Sequence, residues 1–116
     1  MNFEEMSEKE IMAIANPIMD NLMQASTDID HERHVKAFTD RAKAIVTKAH
    51  LERVCAIYQS EKGTWLNREP VAVFRRPDSA AIIWKQFASK AKGEFVAEIV
   101  LVHRDGKFLV DHAMVF

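Results

Sequence analysis

The chain holds five histidines, one cysteine and one tyrosine, the side chains best suited to chemistry near neutral pH. Asp111 and His112, with Tyr58, make the proton-transfer set. An imidazole titrates near neutrality and can act as a general base, with a carboxylate or phenol in support. In a regular strand His112 shares a face with Phe108, Val110, Met114 and Phe116. On so apolar a face an imidazole either lines a pocket or is a core group bonded to backbone. Adjacent strand residues point to opposite faces, so Asp111 and His112 do not naturally pair. That geometry weighs against a catalytic dyad.

Other candidates are weaker. His31-Glu32-Arg33-His34 puts two imidazoles on one helical face, but no third ligand is evident and a metal site needs at least three. The segment reads as a solvated helix start, and no metal or cofactor is expected. Cys55 lies on an apolar helical stripe and reads as a buried, inert thiol. Trp84, among Ile82, Ile83 and Phe87, serves either as pocket wall with one N–H donor or as core. Arg68, Arg75 and Arg76 read as exposed charges around a turn.

Composition narrows the partners. Net charge is −1, from 16 basic and 17 acidic residues, which provides no long-range field for a phosphate backbone or anionic lipid. Neither nucleic acid nor membrane is an expected partner. A single cysteine excludes an intrachain disulfide and fits a reducing compartment. The acidic start, Met1-Asn2-Phe3-Glu4-Glu5, lacks a signal peptide's basic and apolar regions. The expected location is cytoplasmic.

The elements that must position these residues form one domain over 1–116. Ser7-Glu8-Lys9-Glu10 is a capping box opening a helix over 7–26. Its apolar stripe is Ile11, Ile14, Ala15, Ile18, Leu22 and Ala25. Pro17 should kink or break it near Asn16. A second helix over 30–45 is capped by Asp30, with Val35, Phe38, Ala42 and Ile45 at helical steps. Thr47 caps a third, with Leu51, Val54, Cys55 and Tyr58 on one face and Gly63 as its stop.

Beyond Gly63 the hydrophobic period shortens to that of strands. Trp65–Phe74, Ala80–Ala88, Glu94–His103 and Phe108–Phe116 read as an antiparallel meander. Pro70 marks the first as an edge or bulged strand. Asp105-Gly106 is the strongest hairpin signal. The inner strands are apolar in part on both faces: Ala97, Ile99 and Leu101 lie opposite Val96, Val100 and Val102, with Glu94, Glu98 and Lys85 diluting the second face. Helices from one end of the chain cover only one face of such a sheet. A second copy of the chain is the simplest cover for the other, so a homodimer through the sheet is expected.

This order of elements resembles the nuclear-transport-factor-2-like superfamily, also called ketosteroid-isomerase-like and related to the cystatin fold. The likeness runs from about Ile11 to Phe116. Its local echoes are Ala15-Asn16-Pro17-Ile18-Met19, Asn67-Arg68-Glu69-Pro70 and Asp105-Gly106-Lys107-Phe108-Leu109-Val110, which look like small bacterial members of unknown function. The resemblance implies an α+β fold: three N-terminal helices on a bent four-stranded antiparallel sheet, enclosing a cone. It also implies that carboxylate, histidine or tyrosine groups inside the cone could move a proton beside a carbonyl.

Three functions are consistent with that fold. The leading one is a homodimeric ligand-binding or association module. Its pocket, lined by Trp84, Tyr58, His112 and Met114, would take a small apolar or mixed ligand. The second is a small lyase or isomerase using His112 with Tyr58 or Asp111. The third is a protein-interaction domain without a ligand.

Overall fold

The computed structural model describes residues 2–116. After a 3-10 turn (Phe3–Glu5) come α1 (Glu8–Asp28), α2 (His31–His34), α3 (Asp40–Ile45) and α4 (Lys48–Lys62). Four strands follow: β1 (Trp65–Arg75), β2 (Ser79–Ala88), β3 (Phe95–Arg104) and β4 (Lys107–Val115). They pair antiparallel in chain order as one meander, leaving β1 and β4 as edges.

The capping box forms as expected. Ser7 Oγ accepts from the Glu10 amide at 3.0 Å, and the Glu10 carboxylate accepts from the Ser7 amide at 3.0 Å. Helix α1 then runs unbroken through Pro17, against the expected break near Asn16. Proline removes only the donor to the Ala13 carbonyl. Ala13 and Pro17 both face solvent, where water can replace that partner. The buried stripe Ile11, Ala15, Met19 and Leu22 packs the helix on both sides of the proline.

The expected helix over 30–45 is two short ones. Between them the chain turns through residues 35–37, and Phe38 then bridges Val110 of β4 in parallel. The Thr39 amide donates to the Val110 carbonyl at 2.9 Å, and the Val110 amide to the Ala37 carbonyl at 2.7 Å. Pairing with a sheet edge thus overrides a helical propensity. Thr39 then caps α3.

The main core lies between α1 and the inner face of the sheet. Ala80, Ile82, Trp84, Ala97, Ile99, Leu101 and Val110 are all buried there with Phe3, Met19 and Phe38. Helix α4 has its own small cluster, Leu51, Cys55 and Tyr58, packed on Val46 and Trp65. The Asp105-Gly106 turn has positive φ at both residues, 53° and 75°, as a type I′ hairpin requires. Two register irregularities flank Pro70 in β1.

A bulge in β4 decides where its side chains point. Val100 pairs with His112, but Leu101 pairs with Val110, so Asp111 is an extra residue. The alternation is reset there. Val110 faces the core, whereas His112 faces outward in a cross-strand row with Phe74, Ala81 and Val100. The expected shared face of His112 with Val110 is therefore not formed.

Candidate functional site

A cleft of about 380 Å³ opens at the seam between the two apolar clusters. Helix α1 contributes Met19, Leu22, Met23 and Ser26 to its wall, and α4 contributes His50, Leu51, Val54, Cys55, Tyr58 and Lys62. His34, Val46 and Trp65 also line it, with Ala113, Met114 and Val115 of β4 and Phe116 just beyond that strand. Three consecutive residues of one strand line it, whereas a sheet face offers only every second residue. The cleft therefore runs along the free edge of β4.

One polar knot ties α4 to α1. Tyr58 Oη lies 2.6 Å from Ser26 Oγ, which lies 3.4 Å from Cys55 Sγ. Gln59 Nε2 donates to Tyr58 Oη at 3.4 Å and to the carbonyls of Ser26 and Thr27 at 3.2 Å. Each hydroxyl has one proton to give. A relay from Gln59 to Tyr58, Ser26 and then Cys55 uses them all. Burial raises the Tyr58 pKa, partly offset by its hydrogen bonds with Ser26 and Gln59. Tyr58 stacks on Trp65 with ring centres 4.8 Å apart.

His34 is the second buried polar group of the cleft wall, at 9% exposure. Asp30 caps its short helix, and the ring stands edge-on to Phe38 at 5.4 Å. Nδ1 is buried without a hydrogen-bond partner among the described residues. Burial, and after it the neighbouring His31, lowers the pKa to about 4, so the ring is neutral at physiological pH. His31 itself points elsewhere and meets the Val46 carbonyl through Nε2 at 2.8 Å. The segment does start a short helix with Glu32 and Arg33 exposed, as its composition suggests, but His34 is buried rather than solvated.

The proton-transfer residues are not brought together. Tyr58 lies in the cleft. Asp111 faces α3, where its carboxylate accepts from Thr39 Oγ1 at 2.8 Å and from Arg41 at 2.9 and 3.2 Å. Those bonds, the Arg41 contact first, lower its pKa. His112 lies outside, with Nε2 3.4 Å from Glu98 Oε2. Of the expected pocket lining, Tyr58 and Met114 border the cleft and Trp84 and His112 do not. Trp84 is core: 1% exposed, it donates through Nε1 to Asn16 Oδ1 at 3.1 Å beneath the Arg68 guanidinium. Arg68 is itself held by Asp20 at 2.5 Å and its side chain is 10% exposed, unlike the exposed turn charge expected. Among the described residues no three His, Cys, Asp or Glu side chains converge as metal ligands.

From sequence Ser26 does not read as a site residue and His34 reads only as a candidate metal ligand, although both carry a signal of burial. Ser26 falls four residues after Leu22 on the apolar stripe, and His34 four before Phe38. A polar residue at a buried helical position requires a partner, and that requirement marks it as a site candidate.

No family model matches the chain, and no curated protein does. Solved structures do. A nuclear-transport-factor-2-like protein of unknown function from Pseudomonas putida superposes with a TM-score of 0.63 at 16% identity, covering 93% of this chain and 87% of that one. A Bdellovibrio bacteriovorus protein superposes at 0.56 and 11% identity over 94% of this chain, which spans only 42% of that longer protein. A candidate polyketide cyclase from Sinorhizobium meliloti gives 0.50 at 11% identity, covering 86% of this chain and 94% of that one. Identities this low speak for the fold alone. The chain has the α+β, nuclear-transport-factor-2-like fold.

Proposed function

We propose that this chain is a binding module for a small, mainly apolar ligand held in the cleft between α1, α4 and β4. One observation carries the reading: a cleft of about 380 Å³ with largely apolar walls and few polar groups. That size and composition suit a small-molecule site. Proton transfer is less well supported. A base must reach its substrate's proton, whereas Asp111 is engaged by Arg41 and His112 lies on the outer face. Among the described residues no helix is long and apolar enough to cross a membrane.

A thermal-shift screen of small apolar compounds tests this, because a ligand that binds only the folded state raises Tm. Val54→Trp should abolish the shift, since Val54 borders the cleft and is 42% exposed, leaving room for the indole to fill it. Equal shifts in both proteins would place binding elsewhere. No shift with any compound would remove the proposal.

A second reading concerns association. The outer face of the sheet carries Phe74, Ala81, Val100 and His112 in one cross-strand row and Ala72, Ile83, Glu98 and Met114 in the next. Phe74 and Met114 are each 52% exposed. A largely apolar face, broken by the Glu98 and His112 pair, suits an interface, and a two-fold pairing of two copies would cover it.

A further inference from the structure

The free edge of β4 has hydrogen-bonding capacity that the chain leaves unused. Val96 and Phe116 exchange both backbone hydrogen bonds, at 2.6 and 2.8 Å. In an antiparallel ladder such pairs alternate with pairs whose amides and carbonyls point away from each other. Glu98–Met114 and Val100–His112 then bond inward, while Ala113 and Val115 direct their N–H and C=O groups off the sheet. Those two residues line the cleft. Among the described residues neither has a further backbone partner. One residue before the bulge the same edge is already used, because Val110 bonds outward to Ala37 and Thr39. The chain thus places a single parallel bridge on β4 at Phe38, then turns away at Thr39 into α3.

We infer that the cleft receives its occupant as an added strand, a short extended apolar peptide pairing with β4 at Ala113 and Val115. This rests on the ligand-binding reading of the cleft and names the class of ligand. Two features select a peptide over a plain hydrocarbon. The floor offers donor–acceptor pairs at the two-residue spacing of a strand, which a backbone matches and an alkyl chain leaves unsatisfied. The walls are apolar and suit alternate side chains. A third feature selects against basic peptides: among the described residues no acidic side chain lines the cleft, whereas Lys62 does. An unpaired apolar strand edge is otherwise a liability that proteins cover. Here the segment before α3 covers the edge at Val110 and leaves the cleft stretch open.

The test uses acetyl-Leu-Thr-Leu-Thr-Leu-amide on the full chain. Added-strand pairing predicts saturable binding and slowed hydrogen exchange at the Ala113 and Val115 amides. N-methylation of one alternating set of peptide amides should weaken binding about five-fold for each bond lost, and methylation of the other set should leave it unchanged. Val115→Pro removes one edge donor without touching the β3 ladder and should weaken binding similarly. The methylated peptides keep the test decisive if that variant misfolds. Equal binding of both methylated sets, or binding without protection at Ala113 and Val115, overturns the strand inference. If decanol binds in the cleft while the peptide does not, the inference falls and the ligand-binding proposal stands. If neither binds, both fall. Protection of these amides that grows with protein concentration alone would mean that a second copy occupies the edge, and would also overturn it.

Discussion

Acid should destabilise this protein well before its carboxylates titrate, and His34 is the reason. The folded pKa is lowered to about 4 from the ordinary 6.5. Unfolding releases the ring to water, where it binds a proton below about pH 6.5. In the window between the two values the unfolded state therefore binds more protons, and stability must fall as pH falls. Above the window both states are neutral and the contribution is complete. Integrating the linkage relation, the loss relative to neutral pH is about 1 kcal/mol at pH 5.5 and about 2–3 kcal/mol at pH 4.5. The two lowered carboxylates, Asp111 and Glu10, act in a lower window, beneath their ordinary values of 3.8 and 4.5.

Urea unfolding at pH 7.5, 5.5 and 4.5 measures this slope directly, and His34→Leu isolates it. Leucine fills nearly the same volume and cannot titrate. It also removes a buried nitrogen that has no partner. Replacing an unsatisfied polar group by an apolar one of similar shape is near neutral or stabilising. The variant should match or exceed the wild type at low pH and lose most of the slope between pH 7.5 and 4.5. A wild type that is flat over that interval, or a variant with an undiminished slope, would refute the argument.

Tyr58→Phe removes the hydroxyl shared with Ser26 and should cost about 1 kcal/mol, lowering Tm by a few degrees in calorimetry. Gly63→Ala should cost more, about 2 kcal/mol: φ is +81° there, and a Cβ would stand 2.2 Å from Ser89 Oγ. Its thermal melt should show the deficit even though alanine favours helices. Asp111→Asn should leave the protein folded but flatten the acid limb below the ordinary carboxylate range, because stability held by a depressed carboxylate is lost as pH falls through it. Light scattering should give a dimer mass for the wild type and a monomer for Ile83→Arg, which puts a charge on the outer sheet face. A wild type that is monomeric at high concentration removes the paired-sheet proposal.

Much of the fold was legible because its signals are local. Ser7 and Glu10 announce α1, Thr47 and Gly63 bracket α4, and Asp105-Gly106 closes the last hairpin; each works through bonds within a few residues. Strand boundaries lie within about a residue of those read from the two-residue alternation. Where the reading failed, the cause lay far away in sequence. Pro17 does not end α1, because the packed stripe on either side outweighs one lost donor. The segment 36–39 is not helical, because it gains the edge of β4, about seventy residues on.

The site was harder to read for the same reason, and one feature explains most of the difference. A regular β4 would put His112 beside Val110, on the core side. The bulge at Asp111 turns it outward instead. That bulge has no mark in the local sequence, for no glycine or proline stands near it. Its supports are Thr39 and Arg41, which grip the Asp111 carboxylate, and Ala37 and Thr39, which bond to Val110. The short α3 connection therefore does more than fill a gap in the helical layer. It fixes the phase of the last strand, sends the imidazole to the outer face, and leaves the backbone groups of Ala113 and Val115 facing the cleft.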